Sequence, residues 1–166
     1  MTAFAITGPF GTSFTTVTAG TTTDGENAKW PLGLEVEGSD GARRRYVQAG
    51  EAITQYNWVC INQADQATKM TKTNVDGGLR LGVASDVGFS DNDIGWVVVD
   101  GPCTAKIAAA CAANVNLYTT ATAGLADDTS ASQTLLRGCI ATVLGNTNST
   151  SNRACLLTNA SSTAAP

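Results

Sequence analysis

Apolar and polar residues alternate along short segments of this chain, and Gly, Asp and Asn separate the segments. Residues 32–37 alternate apolar and polar, so one face of this segment is expected to be buried as a β-strand. Residues 38–41 have the composition of a turn, and residues 43–48 follow as a returning strand. The pattern therefore predicts a β-hairpin near the start of the folded region.

Similar short apolar runs recur at intervals of about 8–12 residues through the rest of the chain. Residues 94–99 are apolar at nearly every position, which is typical of a central strand covered on both faces. A turn is expected at residues 100–102. Residues 108–113 are the only helix-like stretch and are too short for more than a turn or a single helical turn. Further strands are predicted at residues 58–61, 79–84, 103–107, 115–118, 135–144 and 154–157.

Short strands without long helices between them predict an all-β fold, a single compact β-barrel or sandwich of short antiparallel strands. The 166 residues fit one domain. We divide the chain into an extended N-terminal arm (1–30), a β-rich body (31–158) and a frayed, flexible tail (159–166). The arm is rich in Thr and Gly and offers few large side chains for a core. We expect it to become ordered on binding a partner, the alternative being a flexible terminus.

Charged residues make up 14% of the chain, against about 25% in an average protein. The buried part of a protein–protein interface is depleted of charge in the same way, which favours a surface that is covered in use. The alternative is a Thr-rich sheet protein with an ordinary surface. The net charge of −4 and the scattered basic residues disfavour nucleic-acid binding, which depends on clustered Lys and Arg.

The cysteine pattern indicates neither a disulfide framework nor a metal site. The five cysteines are odd in number, form no C-x-x-C pair and are accompanied by no histidine. We therefore expect reduced thiols in a protein made in a reducing cytosol, with no metal and no cofactor. The sequence also shows no secretory signal and no apolar run of about 20 residues, so no membrane partner is predicted.

Enzymatic activity is not expected, because the chain lacks histidine, the residue most used for general acid–base catalysis. Glu35 and Glu37 are interpreted as solvated carboxylates on the polar face of one strand, rather than as a glycoside-hydrolysing pair. Asp91 and Asp93 are interpreted as part of a polar turn, rather than as a cation-binding loop.

Arg43, Arg44 and Arg45 form the one basic cluster of the chain. On a strand, the first and third share a face and Arg44 takes the other. The cluster would either anchor acidic groups of a partner subunit or protect an edge strand from unwanted pairing. Trp30 lies where the arm joins the body, a position that suggests an interface role. The predicted partner-contact residues are Phe10, Phe14, Thr16, Val17, Trp30, Arg43, Arg44 and Arg45.

Five segments follow one another in a distinctive order: residues 46–53, 81–84, 91–99, 109–115 and 117–124. Together they resemble the capsid decoration, or cement, proteins of tailed bacteriophages. The resemblance covers roughly residues 30–158, and the first 30 residues contribute nothing to it.

The resemblance implies a β-rich body on the outer surface of the virion's capsid, bound to the major capsid protein, in a homo-oligomer for which a trimer is favoured. In some members an extended N-terminal arm adds a strand to a capsid loop. The implied function is stabilisation of the head by bridging capsomers, without catalytic residues. The alternative is another virion component, such as a head fibre base, a tail component or a cell-surface adhesin.

Overall fold

The structure is a computed structural model that describes residues 13–20, 28–131, 133–146 and 149–162. Ten strands and one short helix occur in these ranges, so the predicted all-β fold is confirmed. The elements are β1 (Glu35–Glu37), β2 (Arg43–Ala49), β3 (Trp58–Ile61), β4 (Gln66–Lys69), α1 (Lys72–Asp76), β5 (Arg80–Val83), β6 (Ile94–Ile107), β7 (Asn116–Thr119), β8 (Ala126–Asp127), β9 (Leu135–Ala141) and β10 (Ser151–Ser162).

Two rings of strand pairings share the long strand β6. The first ring runs β2, β4, β3, β5, β6 and back to β2, and forms a five-stranded closed barrel. The second ring runs β6, β8, β7, β9, β10 and back to β6. The β2–β4 and β6–β8 pairs are parallel, and the others in the two rings are antiparallel. Closing a sheet on itself removes exposed strand edges.

The predicted hairpin is present as β1 and β2, with Glu35 opposite Arg45 and Glu37 opposite Arg43. Gly38 N–H donates to the Ala42 carbonyl at 2.8 Å and closes the turn. The predicted polar turn before β6 is also present, since the Ser90 N–H donates to the Asp93 carboxylate at 2.7 Å.

The turn predicted at residues 100–102 is wrong, because β6 continues through it to Ile107. Asp100 still pairs with Arg43 of β2, whereas Pro102 already lies opposite Leu156 of β10. Gly101 has a φ of +87°, and a Cβ there would lie 2.6 Å from the Gly41 carbonyl oxygen. The glycine therefore lets β6 bend and exchange partners without ending.

Short elements elsewhere also differ from the sequence predictions. Helix α1, together with β4 and β8, was not predicted; α1 begins after Thr71, whose hydroxyl accepts from the Asn74 N–H at 3.3 Å. Residues 108–113 form a turn, one of the two forms expected. Residues 159–162 of the predicted tail belong to β10, which extends to Ser162, opposite Leu136. Residues 163–166 lie outside the described part.

The buried apolar residues form three groups. The barrel core fills the first ring and includes Val47, Val59, Ile61 and Val97. A second core lies in the second ring and extends to β3 and β5. The third group, here called the aromatic cluster, lies on the outer face of β2 and β6. Its aromatic members are Phe14, Trp30, Tyr46 and Trp96.

Candidate subunit interface

Residues 13–20, here called the N-terminal segment, lie across the outer face of the barrel. Phe14 is fully buried, and its ring packs edge-on against Trp96 with the centroids 5.7 Å apart. Thr18 exchanges two backbone hydrogen bonds of 2.8 Å with Ile94 at the start of β6. The arm was expected to offer little to a core, but Phe14 contributes to the chain's own core.

Trp30 links the aromatic cluster to the surface. Its ring lies 5.4 Å from that of Tyr46 and 5.6 Å from that of Trp96, centroid to centroid. The Lys29 ammonium lies over the Trp30 ring, 4.7 Å from its centroid, in a cation–π contact. Trp30 is half-buried, so part of the indole remains available to a partner.

The other arm residues predicted to contact a partner have different environments. Thr16 is exposed, whereas Val17 is half-buried against the barrel core. Phe10 lies outside the described residues. Thr16, Val17 and Trp30 therefore retain surface for the predicted contact, and Phe14 does not.

Arg44 is buried beneath the N-terminal segment, with 2% of its side chain exposed. Its Nη1 and Nη2 donate to the Asp40 carboxylate at 2.9 and 2.7 Å. Its Nε and Nη2 donate to the Asp86 carboxylate at 2.8 and 3.1 Å. A fifth bond, 3.4 Å long, runs to the Ala42 carbonyl, and the guanidinium lies 4.1 Å from the Phe14 ring centroid.

This arrangement satisfies all five donors of the guanidinium and fixes both carboxylates. Desolvation of Arg44 would lower its pKa, but the hydrogen bonds that it donates to Asp40 and Asp86, together with the charges of these carboxylates, outweigh this and raise the pKa. The hydrogen bond from Arg44 lowers the pKa of Asp40. The Arg44 side chain is buried and bonded within the chain, so it offers little surface for the predicted partner contact.

Arg43 and Arg45 share the opposite face of β2, as predicted, and belong to an ion-pair network around Glu35. Arg45 donates to Glu35 at 2.7 Å and to Asp65 at 2.7 Å. Arg80 also donates to Glu35, and Arg43 lies 3.4 Å from it. Burial would raise the pKa of Glu35, but hydrogen bonds from Arg80 and Arg45 lower it overall.

The predicted edge-strand role of the arginines is wrong, because β2 pairs with β1 on one side and with β6 on the other. The interpretation of Glu35 as a merely solvated carboxylate is also wrong, since it accepts from two arginines. Arg43 is 40% exposed and remains accessible to a partner. The hairpin explains the approach of Arg43 and Arg45 to Glu35. Alternation did not reveal the pairs of Arg45 with Asp65 and of Glu35 with Arg80, because these partners lie 20 and 45 residues apart in the chain.

An open cavity of about 670 Å³ lies where the two rings meet, beside Arg44. Five chain segments contribute to its wall: the N-terminal segment, the β1–β2 hairpin, the entry to β3, the β5–β6 loop and the bend of β6. Its volume lies within the range of small-ligand pockets. The lining residues are Thr15, Ser39, Asp40, Arg44, Tyr56, Ser85, Asp86, Pro102, Cys103 and Thr104.

A surface with few charges lies on the outer side of β6, β10 and β9, away from the second core. Lys106 lies at its edge, two residues beyond Thr104 on β6 and opposite Asn152 of β10. Leu156 lies opposite Pro102 on one side and Ile140 on the other, so three apolar residues form a row across the strands. Ala154 lies opposite Thr104, and the Thr142 N–H donates to the Ala154 carbonyl at 3.0 Å. We define the neutral face as Pro102, Thr104, Ile140, Thr142, Ala154 and Leu156.

Charge is distributed unevenly between the two halves of the chain. Residues 107–166 contain only four charged side chains, Asp127, Asp128, Arg137 and Arg153. Val143 and Leu144, which follow β9, are 48% and 53% exposed and are the large apolar side chains left exposed in the described ranges. The second ring therefore presents a weakly charged surface with apolar residues at its margin.

One group of side chains has the composition of a metal site. The potential ligand atoms of Cys111, Asp127 and Asp128 lie within 4.8 Å of one another. Asp128 also accepts from the Ala112 N–H at 2.8 Å, which accounts for one carboxylate as part of a turn. Burial, together with the two carboxylates, raises the pKa of the Cys111 thiol to about 11, so a metal would have to displace its proton.

Comparison with known proteins finds no matching family model, no matching curated protein and no matching solved structure. In the described part of the chain, no helix has the length and hydropathy needed to cross a bilayer. The resemblance to decoration proteins thus remains a prediction from the sequence.

Proposed function

We propose that this chain is a structural virion protein that binds the outer surface of a tailed-phage capsid and stabilises the head by bridging capsomers. The observation that carries the proposal is the neutral face, which combines β-structure, small side chains and an apolar row, with the nearest charge on β6, that of Lys106, at its edge. Such a surface loses little hydration free energy when it is covered, which favours protein–protein contact.

The N-terminal segment supplies a second contact region on the barrel. Thr16 is exposed and Trp30 is half-buried, so both can reach a neighbouring subunit without disturbing Phe14. Two separated contact regions suit a protein that bridges subunits, because simultaneous contacts raise overall affinity through effective concentration. A homo-oligomer, with a trimer favoured, would multiply these contacts on a symmetric shell.

A substitution on the neutral face tests the proposal. Full-length protein is added to expanded capsid shells that lack it, and binding is measured by co-sedimentation. Ala154→Asp should weaken binding at least tenfold, because it places a carboxylate at the centre of the neutral face. Gln63→Asp, an equal charge change in the exposed β3–β4 turn, should leave binding unchanged.

Absence of binding by the unmodified protein would contradict the proposal, and equal binding by the two variants would remove the neutral face from it. Immunogold labelling of intact particles distinguishes the head from a tail component or a head fibre base. Analytical ultracentrifugation of the free protein measures the proposed oligomer.

A further inference from the structure

The cavity beside Arg44 is lined by two carboxylates, which only accept hydrogen bonds, and by five hydroxyl side chains, which can accept or donate. Arg44 lines it, but all five of its donors are already used within the chain. The Asp40 and Asp86 carboxylates both accept from Nη2 of Arg44, so they converge on one atom at the wall of the cavity. A carboxylate has about four lone-pair sites, so each retains acceptor capacity.

The net charge of the lining also favours a cation. Two carboxylates and one guanidinium leave a net charge of −1, and Asp40 is 36% exposed. An anion would meet this charge without a free guanidinium donor to bind. A cation would meet two carboxylates whose positions are fixed by a buried arginine, and pre-organisation of this kind lowers the cost of binding.

Tyr56 supplies an aromatic ring in the same cavity. Its backbone has a φ of +71°, which few residues other than glycine adopt, and is held by a hydrogen bond of 2.8 Å to the Ala84 carbonyl. Aromatic rings attract cations through their π face. Pro102 adds an apolar surface against which an alkyl chain can pack.

We propose that this cavity binds a primary ammonium group carried on an alkyl chain. An ammonium has three donors and a positive charge, which complement the two carboxylates and the hydroxyl oxygens of the lining. Within the proposed function, on which this part of the inference rests, the ammonium belongs to a lysine of the capsid shell. A free alkylamine is the other source of the same chemistry.

The first experiment uses n-butylammonium chloride as the probe and does not involve capsids. Amide shifts of Ser85 and Thr104 are followed by NMR in the full-length protein during titration. Saturating shifts are expected with the amine, and no saturating shift with butan-1-ol at equal ionic strength. Equal responses to the two compounds would overturn the proposal.

A matched pair of variants locates the binding. Thr15→Lys places an ammonium at the exposed rim of the cavity and should abolish the shifts, whereas Gln63→Lys should retain them. Loss of binding in both variants, or in neither, would overturn the proposal. If Thr15→Lys releases the N-terminal segment, seen as loss of the Phe14–Trp96 ring contact, Ser39→Lys tests the cavity from the hairpin turn instead.

The second experiment identifies the source of the ammonium. Thr15→Lys should weaken binding to shells at least tenfold relative to Gln63→Lys, and acetylation of the shell lysines should have a similar effect. If the amine binds in solution but Thr15→Lys binds shells as well as the unmodified protein does, the ammonium group does not come from a shell lysine. A free alkylamine is then its source. If the unmodified protein does not bind shells, the proposed function fails. The amine titration still tests whether the cavity binds an ammonium group.

Discussion

The barrel core and the aromatic cluster are built on the two faces of the same strands but are covered in different ways. On β2, Val47 points into the barrel and Tyr46 points out, and on β6 Val97 and Trp96 do the same. The inner face is enclosed by a closed ring of strands, whereas part of the outer face is covered by the N-terminal segment. Loss of that segment should therefore leave the barrel folded, while damage to the barrel should affect both.

The largest effect is expected in the barrel core. Ile61→Ala removes a buried side chain from β3, which is paired on both sides, with β4 and with β5. Because this pairing limits relaxation of the backbone, the substitution should lower the free energy of unfolding by about 3–4 kcal/mol. Denaturant unfolding monitored by tryptophan fluorescence measures it. A cost below about 1 kcal/mol would show that the barrel interior is loosely packed.

The next effect concerns the ion pairs under the N-terminal segment. Arg44→Met leaves Asp40 and Asp86 without their shared cation and should cost about 3 kcal/mol. Arg43→Met, one position earlier but 40% exposed, should cost less than about 1 kcal/mol. Similar costs for the two variants, measured by denaturant unfolding, would contradict the assignment of Arg44 as the buried member of the cluster.

A smaller loss of global stability is expected from Phe14→Ala, about 1–2 kcal/mol. This is less than the 3–5 kcal/mol typical of a buried phenylalanine, because the segment can detach while the barrel stays folded. Hydrogen exchange should show the distinction: the Thr18 and Ile94 amides, which bond each other's carbonyls, become fast, and amides of β3 stay protected. Uniform acceleration would mean that the two regions unfold together.

Lowering the pH should weaken the ion pair between Asp40 and Arg44 and so reduce the stability of the folded protein. The pKa of Asp40 is lowered in the folded state, chiefly by its hydrogen bond from Arg44, so the folded protein holds this proton more weakly. Its stabilising contribution is complete above the unfolded pKa of about 4 and is lost as the pH falls through the lower folded value. Stability measured between pH 7 and pH 2 should decline less below pH 4 in Asp40→Asn than in the unmodified protein.

The smallest effect concerns the reaction rate of the cysteine thiols rather than the free energy of unfolding. Burial raises the pKa of the Cys60 and Cys155 thiols to about 12, and that of Cys103 is also raised by burial. At pH 8 the folded protein should therefore react slowly with a thiol-specific disulfide reagent, and all five cysteines should react after unfolding. Cys103 is partly exposed at the cavity and should react first, which Cys103→Ser tests. Rapid reaction of several thiols in the folded protein would contradict this.

Elements of the fold that depend on residues close in the sequence were predictable, whereas those that depend on distant residues were not. The β1–β2 hairpin depends on neighbouring residues, and its alternation was sufficient to predict it. The continuation of β6 through Asp100, Gly101 and Pro102 was not predictable, because those residues favour a turn locally and only pairing with β10 keeps them extended. Helix α1 has five residues, too few to give a periodic signal.

The candidate interface was less predictable than the fold. Alternation correctly placed Arg44 on the face opposite Arg43 and Arg45. It did not show that this face is covered, since the covering residue Phe14 lies in a segment without a hydrophobic pattern and Asp86 lies 42 residues away in the chain. The cavity is likewise formed by five distant segments, so no local motif marks it.

The continuous strand β6 has a mechanical consequence. Its first half is bonded to β2 and its second half to β10, so tension entering one ring passes to the other along a single peptide chain. Antiparallel partners on such a strand are loaded in shear, where many hydrogen bonds must give way together rather than one after another. Under a pulling force along β6, the two rings should therefore resist together and should not unfold one after the other.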